Sequence, residues 1–112
     1  MSSGFRDQEQ VALDLHGAFI RRTSLRRASL VRANLAKADC AWADFTGSDL
    51  TEANMKEADF SNAILRGANL KRANLAGTIL RGAELTGVLN LTHEQLSEAV
   101  IDETTRLPKL VD

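Results

Sequence analysis

From Leu15 to Leu85 every fifth residue is apolar: Leu15, Ile20, Leu25, Leu30, Leu35, Cys40, Phe45, Leu50, Met55, Phe60, Leu65, Leu70, Leu75, Leu80 and Leu85. With 44% of the chain hydrophobic, an unbroken series of this length at one spacing has a chance probability of a few in ~10^5. The residue two before each is as regular, being Ala from 18 to 83 except at Thr23, Ser48 and Thr78. Neither regular helix nor flat strand accommodates such a period. On an α-helix a step of five advances ~500°, so the series would wind around the cylinder without forming a stripe. On an extended strand an odd step puts successive members on opposite faces and leaves half of them in water. The series shares one side only if the chain turns a corner once per pentad, so that each short extended piece points its large residue at a common axis. Stacked coils of that kind make a solenoid.

A solenoid assigns the remaining positions. The large residue and the small one two before it face inward, where the inner side of a tight corner favours Ala, Ser or Thr. The residue between them faces out, as do the two that begin each pentad. Those outward slots hold Arg21, Arg22, Arg26, Arg27, Arg32, Lys37, Asp39, Asp44, Asp49, Glu52, Glu57, Asp59, Arg66, Lys71, Arg72 and Arg81.

The units "VRANL", "AKADC", "AWADF", "TEANM", "KEADF", "RGANL" and "KRANL" resemble the A(D/N)LXX motif of pentapeptide-repeat proteins, over roughly residues 14 to 90. The resemblance implies an all-β solenoid: a right-handed quadrilateral parallel β-helix with four pentads per coil. On that count the chain holds just under four coils, a prism about 20 Å long at the usual ~4.8 Å strand spacing. Residues 20 apart then stack. Arg32, Glu52 and Arg72 form one column of alternating charge, with Lys37 beside Glu57 in another. Asn34, Asn54 and Asn74 stack as a side-chain amide ladder, and Arg22 falls on Trp42, placed for a cation–π contact.

Three segments follow: a lead segment at 1–13, the repeat β-helix at 14–90, and a C-terminal capping helix with extended tail at 91–112. Both raw ends of a solenoid need closing, because unpaired edges template aggregation. In "NLTHEQLSEAV" Thr92 is placed as N-cap with Gln95 three residues on, a capping box, and Leu91 and Leu96 occupy the staple positions. The pattern predicts a helix from about His93 to Ile101, with Leu96, Ala99 and Val100 on its apolar face, and an extended run after it. At the other end Phe5, Val11 and Leu13 offer packing groups without a clear element. Phe19, outward in an otherwise polar slot, is the candidate end interface, to be covered either by that lead segment or by another chain, as in a homodimer.

At 112 residues the chain suits one small domain. A formal net charge of -1 with 26% charged residues marks neither a nucleic-acid binder nor a membrane-surface protein. Cys40 is the single cysteine and occupies an inward slot, where a thiol is ordinarily inert. The opening "MSSGFRDQEQ" lacks the apolar run of a signal peptide, and no stretch approaches the ~20 apolar residues of a membrane span. A cytoplasmic protein is expected.

Catalytic, metal and cofactor residues are expected to be absent. His16 and His93 fall at opposite ends of the prism, the outward aspartates lie on convex faces, and no phosphate loop, nucleophile elbow or zinc pattern occurs. Charge falls in bands: residues 21 to 37 are basic, 39 to 59 mainly acidic, and 66 to 81 basic. Arg21, Arg22, Arg26 and Arg27, with Trp42, form the candidate interaction patch. The expected role is a non-catalytic interaction or scaffold protein, its partner another protein. The alternative implied by the resemblance is a DNA mimic that modulates a type II topoisomerase, which short length and near-neutral charge disfavour.

Overall fold

The computed structural model describes residues 12–110; the packing expected of Phe5 and Val11 in the lead segment falls outside them. Two kinds of backbone hydrogen bond build the fold. At each corner, where one pentad passes into the next, the N–H of the small inward residue donates to the carbonyl of the large residue three before it, as Ala38 does to Leu35 at 3.0 Å, closing a turn. Between coils, Leu35 N–H donates to Asn54 O at 2.7 Å and Asn54 N–H to Ala33 O at 2.9 Å. Parallel bridges recur at a constant register of twenty, from Asp14↔Asn34 to Asn69↔Leu89. A five-residue step with a twenty-residue register gives four sides per coil.

The four sides are lined by the bridge residues. The first carries Asp14, Asn34, Asn54 and Asn74; the second Phe19, Asp39, Asp59 and Ile79; the third Ser24, Asp44, Ile64 and Glu84; the fourth Ser29, Asp49, Asn69 and Leu89. The corners between them require a left-handed residue at the third position of the turn. Gly17, Gly47, Gly67, Gly77, Gly82 and Gly87 supply it without strain, but Arg22, Arg27, Arg32, Lys37, Trp42, Glu52, Glu57, Asn62 and Arg72 adopt it too, with φ between 56° and 64°. Each of these non-glycine corners costs roughly 1–2 kcal/mol.

Core burial offsets that strain. Leu35, Cys40, Phe45, Leu50, Met55, Phe60, Leu65 and Leu70 are fully buried, and so are the small residues Ala33, Ala43, Ala58, Ala63 and Ala68. A fully buried large apolar side chain contributes about 1.5–3 kcal/mol. The Phe45 and Phe60 rings meet at 5.0 Å between centroids, tilted by 43°, within the range favoured by aromatic pairs. Cys40 is the bridge-register neighbour of Phe60, a small side chain beside a large one, which keeps the interior filled. Two slots expected to face water are buried instead: Ala36 and Ala41. A methyl group there rises too little above the stacked corners to reach solvent.

The outward Asp and Asn residues do more than solvate the surface. Asn34 Oδ1 accepts from Ala36 N–H at 3.0 Å, Asp39 Oδ1 from Ala41 N–H at 3.2 Å, Asn54 Oδ1 from Lys56 N–H at 3.1 Å and Asn74 Oδ1 from Ala76 N–H at 3.0 Å. Asp44, Asp49, Asp59 and Asn69 do the same. These Asx turns satisfy the corner N–H that no neighbouring strand reaches. In place of an amide ladder, Asn34, Asn54 and Asn74 each turn an oxygen toward their own corner.

After Leu89 the register breaks. Helix α1, His93–Glu98, starts at Thr92, which accepts from Gln95 N–H at 3.1 Å while Gln95 Oε1 accepts from Thr92 N–H at 2.9 Å. The capping box and the buried pair Leu91 and Leu96 match the sequence reading. The helix ends at Glu98 rather than Ile101, because Ala99 is extended and Val100 pairs with Ile79 as a parallel strand. Arg106 then pairs with Glu84. The tail thus continues the second and third sides, its spacing lengthened from twenty to 21 and then 22 residues.

Candidate interaction surface

Every residue of the expected patch lies on a corner of the first two coils. Arg21 and Arg22 share one corner, with Trp42 in the same place one coil on; Arg26 and Arg27 share the next, across the third side. Sequence register alone brings these groups together, as the notional columns required.

Their partners separate the four arginines into two kinds. Arg21 Nε reaches Asp39 Oδ2 at 3.2 Å, and Arg26 Nη1 reaches Asp44 Oδ2 at 3.1 Å. Both contacts run 18 residues along the chain, because the first corner residue leans back diagonally onto the preceding side, one coil on. The second residues of these two corners, Arg22 and Arg27, do not reach a carboxylate among the described residues. Arg22 instead places its guanidinium 5.3 Å from the Trp42 ring centroid, the cation–π contact read from the sequence. The Arg27 stem passes over Gly47, where an added Cβ would stand 3.4 Å from Arg27 Cγ.

Carboxylates in the second coil are held charged. The Thr46 hydroxyl, which donates to Asp44 Oδ1 at 2.5 Å, is the largest cause lowering the Asp44 carboxyl below its ordinary value of 3.8; the Thr46 N–H and Arg26 add to it against an opposing desolvation. Glu52 is lowered chiefly by the Arg72 guanidinium, which donates to Glu52 Oε2 at 2.8 Å and 3.0 Å, and to a lesser extent by Arg32. The Arg32–Glu52–Arg72 column therefore exists as expected, with Arg32 3.7 Å from Glu52, and Lys37 stands 4.0 Å from Glu57. Arg66 and Arg106 flank Glu84 at 4.0 and 3.4 Å. Most of the charge banding is thus spent between neighbouring coils.

Phe19 stands 90% exposed on the second side, and Trp42 is half exposed. His16 lies on the first coil and His93 opens α1, at opposite ends of the chain's path. No group of three or more His, Cys, Asp or Glu residues that could hold a metal occurs among the described residues. Burial, reinforced by Asp39 and Asp59, pushes the Cys40 thiol up to about 12, so the thiolate needed for nucleophilic or redox chemistry is disfavoured. Among the described residues no helix is long and apolar enough to cross a membrane.

Sequence reasoning did not anticipate that Arg21 and Arg26 would be neutralised. The signal lay in the offset of 18, which places Asp39 and Asp44 beside them once the corner's direction is known.

The pentapeptide repeats family model matches residues 14–51 and 53–89, in eight copies. No curated protein sequence matches the chain. Among solved structures it is similar to alr5209, a pentapeptide repeat protein from Nostoc Pcc 7120, at 24% identity over 90% of this chain and 78% of that one, with a TM-score of 0.56. It is also similar to QnrB1, a plasmid-mediated fluoroquinolone resistance protein, at 15% identity over 87% of this chain and 56% of that one, with a TM-score of 0.59. Rfr23, a pentapeptide repeat protein from the cyanobacterium Cyanothece 51142, shares 30% identity over 80% of this chain and 64% of that one, with a TM-score of 0.47. Eight matched repeats, the constant register of twenty and the likeness in fold lead to one conclusion: the chain belongs to the pentapeptide repeat family, and its architecture is the right-handed quadrilateral β-helix.

Proposed function

We propose that this protein is a non-catalytic, cytoplasmic interaction module that binds another protein through the rigid surface of its first two coils. The observation that carries this reading is the fixed placement of Arg21, Arg22, Arg26, Arg27 and Trp42 on stacked corners. A backbone held in register by hydrogen bonds need not be ordered on binding, which lowers the cost of association. Regular convex surfaces of repeat proteins suit recognition. In this reading residues 14–90 form a prism of just under four coils, residues 91–112 close its C-terminal end through α1, and residues 1–13 lead into the other end. Phe19 is the contact for an end-to-end homodimer, which light scattering over a concentration range would detect as a rising mass.

The test of the patch is affinity purification from the native cell with the wild-type protein and with R21E/R22E/R26E/R27E. Loss of the captured partner, with the melting curve of the variant still cooperative, supports the reading; an unchanged set of partners removes the patch from it.

The second reading, a DNA-mimic modulator of a type II topoisomerase, requires dense uncompensated negative charge, about one per ~1.7 Å of axis. Asp39, Asp44, Glu52 and Glu84 are each paired to an arginine instead. Inhibition of gyrase supercoiling at near-stoichiometric protein would reverse this ranking.

A further inference from the structure

Among the described residues, two of the four patch arginines have a carboxylate partner and two do not. Arg21 and Arg26 are already tied to Asp39 and Asp44. Arg22 and Arg27 have no carboxylate among the described residues, and both occupy left-handed corners, at φ 61° and 59°. They stand at successive corners on either edge of the third side, whose first outward residue is the small Ser24. Trp42 holds the Arg22 guanidinium from one coil on. Trp42 also takes the left-handed conformation at φ 64°, costly for a bulky residue, while remaining half exposed. The left-handed φ belongs to every corner of the repeat, but a half-exposed aromatic stacked under a cation that meets no carboxylate among the described residues is the kind of side-chain pair that serves as a binding contact.

We propose that Arg22, Arg27 and Trp42 are the contact residues of the patch and that their ligand is an acidic segment of a protein, lying across the third side of the first coil. This rests on the reading of the patch as a protein-binding surface and narrows it. Electrostatics decides the class of ligand. The basic band is a single coil deep; one coil on, about 4.8 Å along the axis, stand Asp39, Asp44 and Asp49. A nucleic-acid strand needs an extended positive track for its continuous phosphates, and here it would meet carboxylates on leaving the first coil. A short peptide crossing the third side of the first coil passes between two arginine corners with only the uncharged Ser24 between them. Arg21 and Arg26 have the separate task of holding the first coil to the second.

Trp42 is the only tryptophan, so its fluorescence reports directly on the site. The experiment titrates the whole protein with poly-L-glutamate and, separately, with single-stranded oligo-dT at low salt, comparing wild type with R22Q/R27Q, R21Q/R26Q and R22K/R27K. Poly-L-glutamate should shift the Trp42 emission, and R22Q/R27Q should weaken this binding by ~10-fold or more with an unchanged melting temperature. R21Q/R26Q should lower the melting temperature and weaken binding less than threefold, and R22K/R27K should bind within a few-fold of wild type. Equal weakening by the two Gln pairs, no response to poly-L-glutamate at low salt, or tighter binding of oligo-dT would each overturn the proposal. Should native partners be lost on four-fold charge reversal but survive R22Q/R27Q, the patch stands and only this assignment falls. Partners indifferent to all four changes would remove the patch itself.

Discussion

Among the described residues the two ends of this solenoid are packed differently. At the C-terminal end the strand that would follow Ala73 is missing, and α1 supplies the missing donor: Gln95 Nε2 donates to Ala73 O at 3.0 Å and to Leu70 O at 2.8 Å. Leu91 and Leu96 join the core there, and Leu75, Leu80 and Leu85 are almost completely buried. At the N-terminal end Leu15, Ile20 and Leu25 are only partly buried, and Leu13 is half exposed. An interior coil borrows burial and hydrogen bonds from both neighbours, while a terminal coil has one neighbour and must find the rest elsewhere. Repetition therefore stabilises the middle, and nonrepetitive residues decide the ends.

The largest effect should come from testing the middle against the first coil. Leu50→Ala should cost about 2–5 kcal/mol, since it opens a cavity at a fully buried slot. Leu15→Ala, at the partly buried first coil, should cost less than half as much in urea denaturation; equal costs would mean that the first coil is as well packed as the interior. Next is the C-terminal end itself. Gln95→Ala removes the donor to Ala73 O and half of the capping box, so about 1–3 kcal/mol should be lost. Hydrogen exchange should quicken first at Gly77 and Leu80, whose N–H groups donate to Glu98 and Val100.

Gly82→Ala should cost about 1–2 kcal/mol. The corner requires φ 71°, and an ideal Cβ would stand 2.2 Å from Asn62 Oδ1, so the neighbouring coil must yield as well. Gly17→Ala, on the first coil with nothing within 4 Å of its Cβ, should carry only the backbone part of that cost. Ser48→Ala should raise stability by about 1 kcal/mol, since Ser48 Oγ is buried without a hydrogen-bond partner among the described residues; thermal melts at fixed pH would read both.

The smallest effect is acid loosening of the first coil. The Asp44 carboxyl is depressed below 3.8 by Thr46 and then Arg26. Its contribution is fully present above the unfolded value of 3.8 and is lost as pH falls through the lower folded value. Amide exchange at Leu25 and Arg27, which donate to Asp44 O and Thr46 O, should accelerate over that interval before the interior coils respond. Uniform acceleration along the whole chain would show instead that the coils unfold as one unit.

Much of this was legible in the residue order. The period of five implies inward Leu and Ala slots, and these are the buried residues from Leu30 onward. Columns at a spacing of twenty foretell Arg32–Glu52–Arg72 and Arg22 over Trp42. Less legible was the work of the outward Asp and Asn residues, which read as solvated surface or as a ladder but serve as acceptors for corner N–H groups. Nothing in their spacing distinguishes those alternatives, because the choice depends on the backbone direction at the corner. The pairing of Arg21 and Arg26 was hidden for the same reason, and so was the end of α1, where propensity continues past Glu98 but pairing of Val100 with Ile79 wins.

By itself the sequence determined that the chain turns a corner every five residues around an apolar axis, since no other regular path keeps the fifteen apolar residues of the series on one side; that four corners close each coil is seen in the register of twenty between bridges. Tertiary structure alone decided which surface charges are spent and which are left over. Ion pairing depends on where a corner aims its side chains, and that direction comes from turn geometry and stacked neighbours rather than from any residue's own preference.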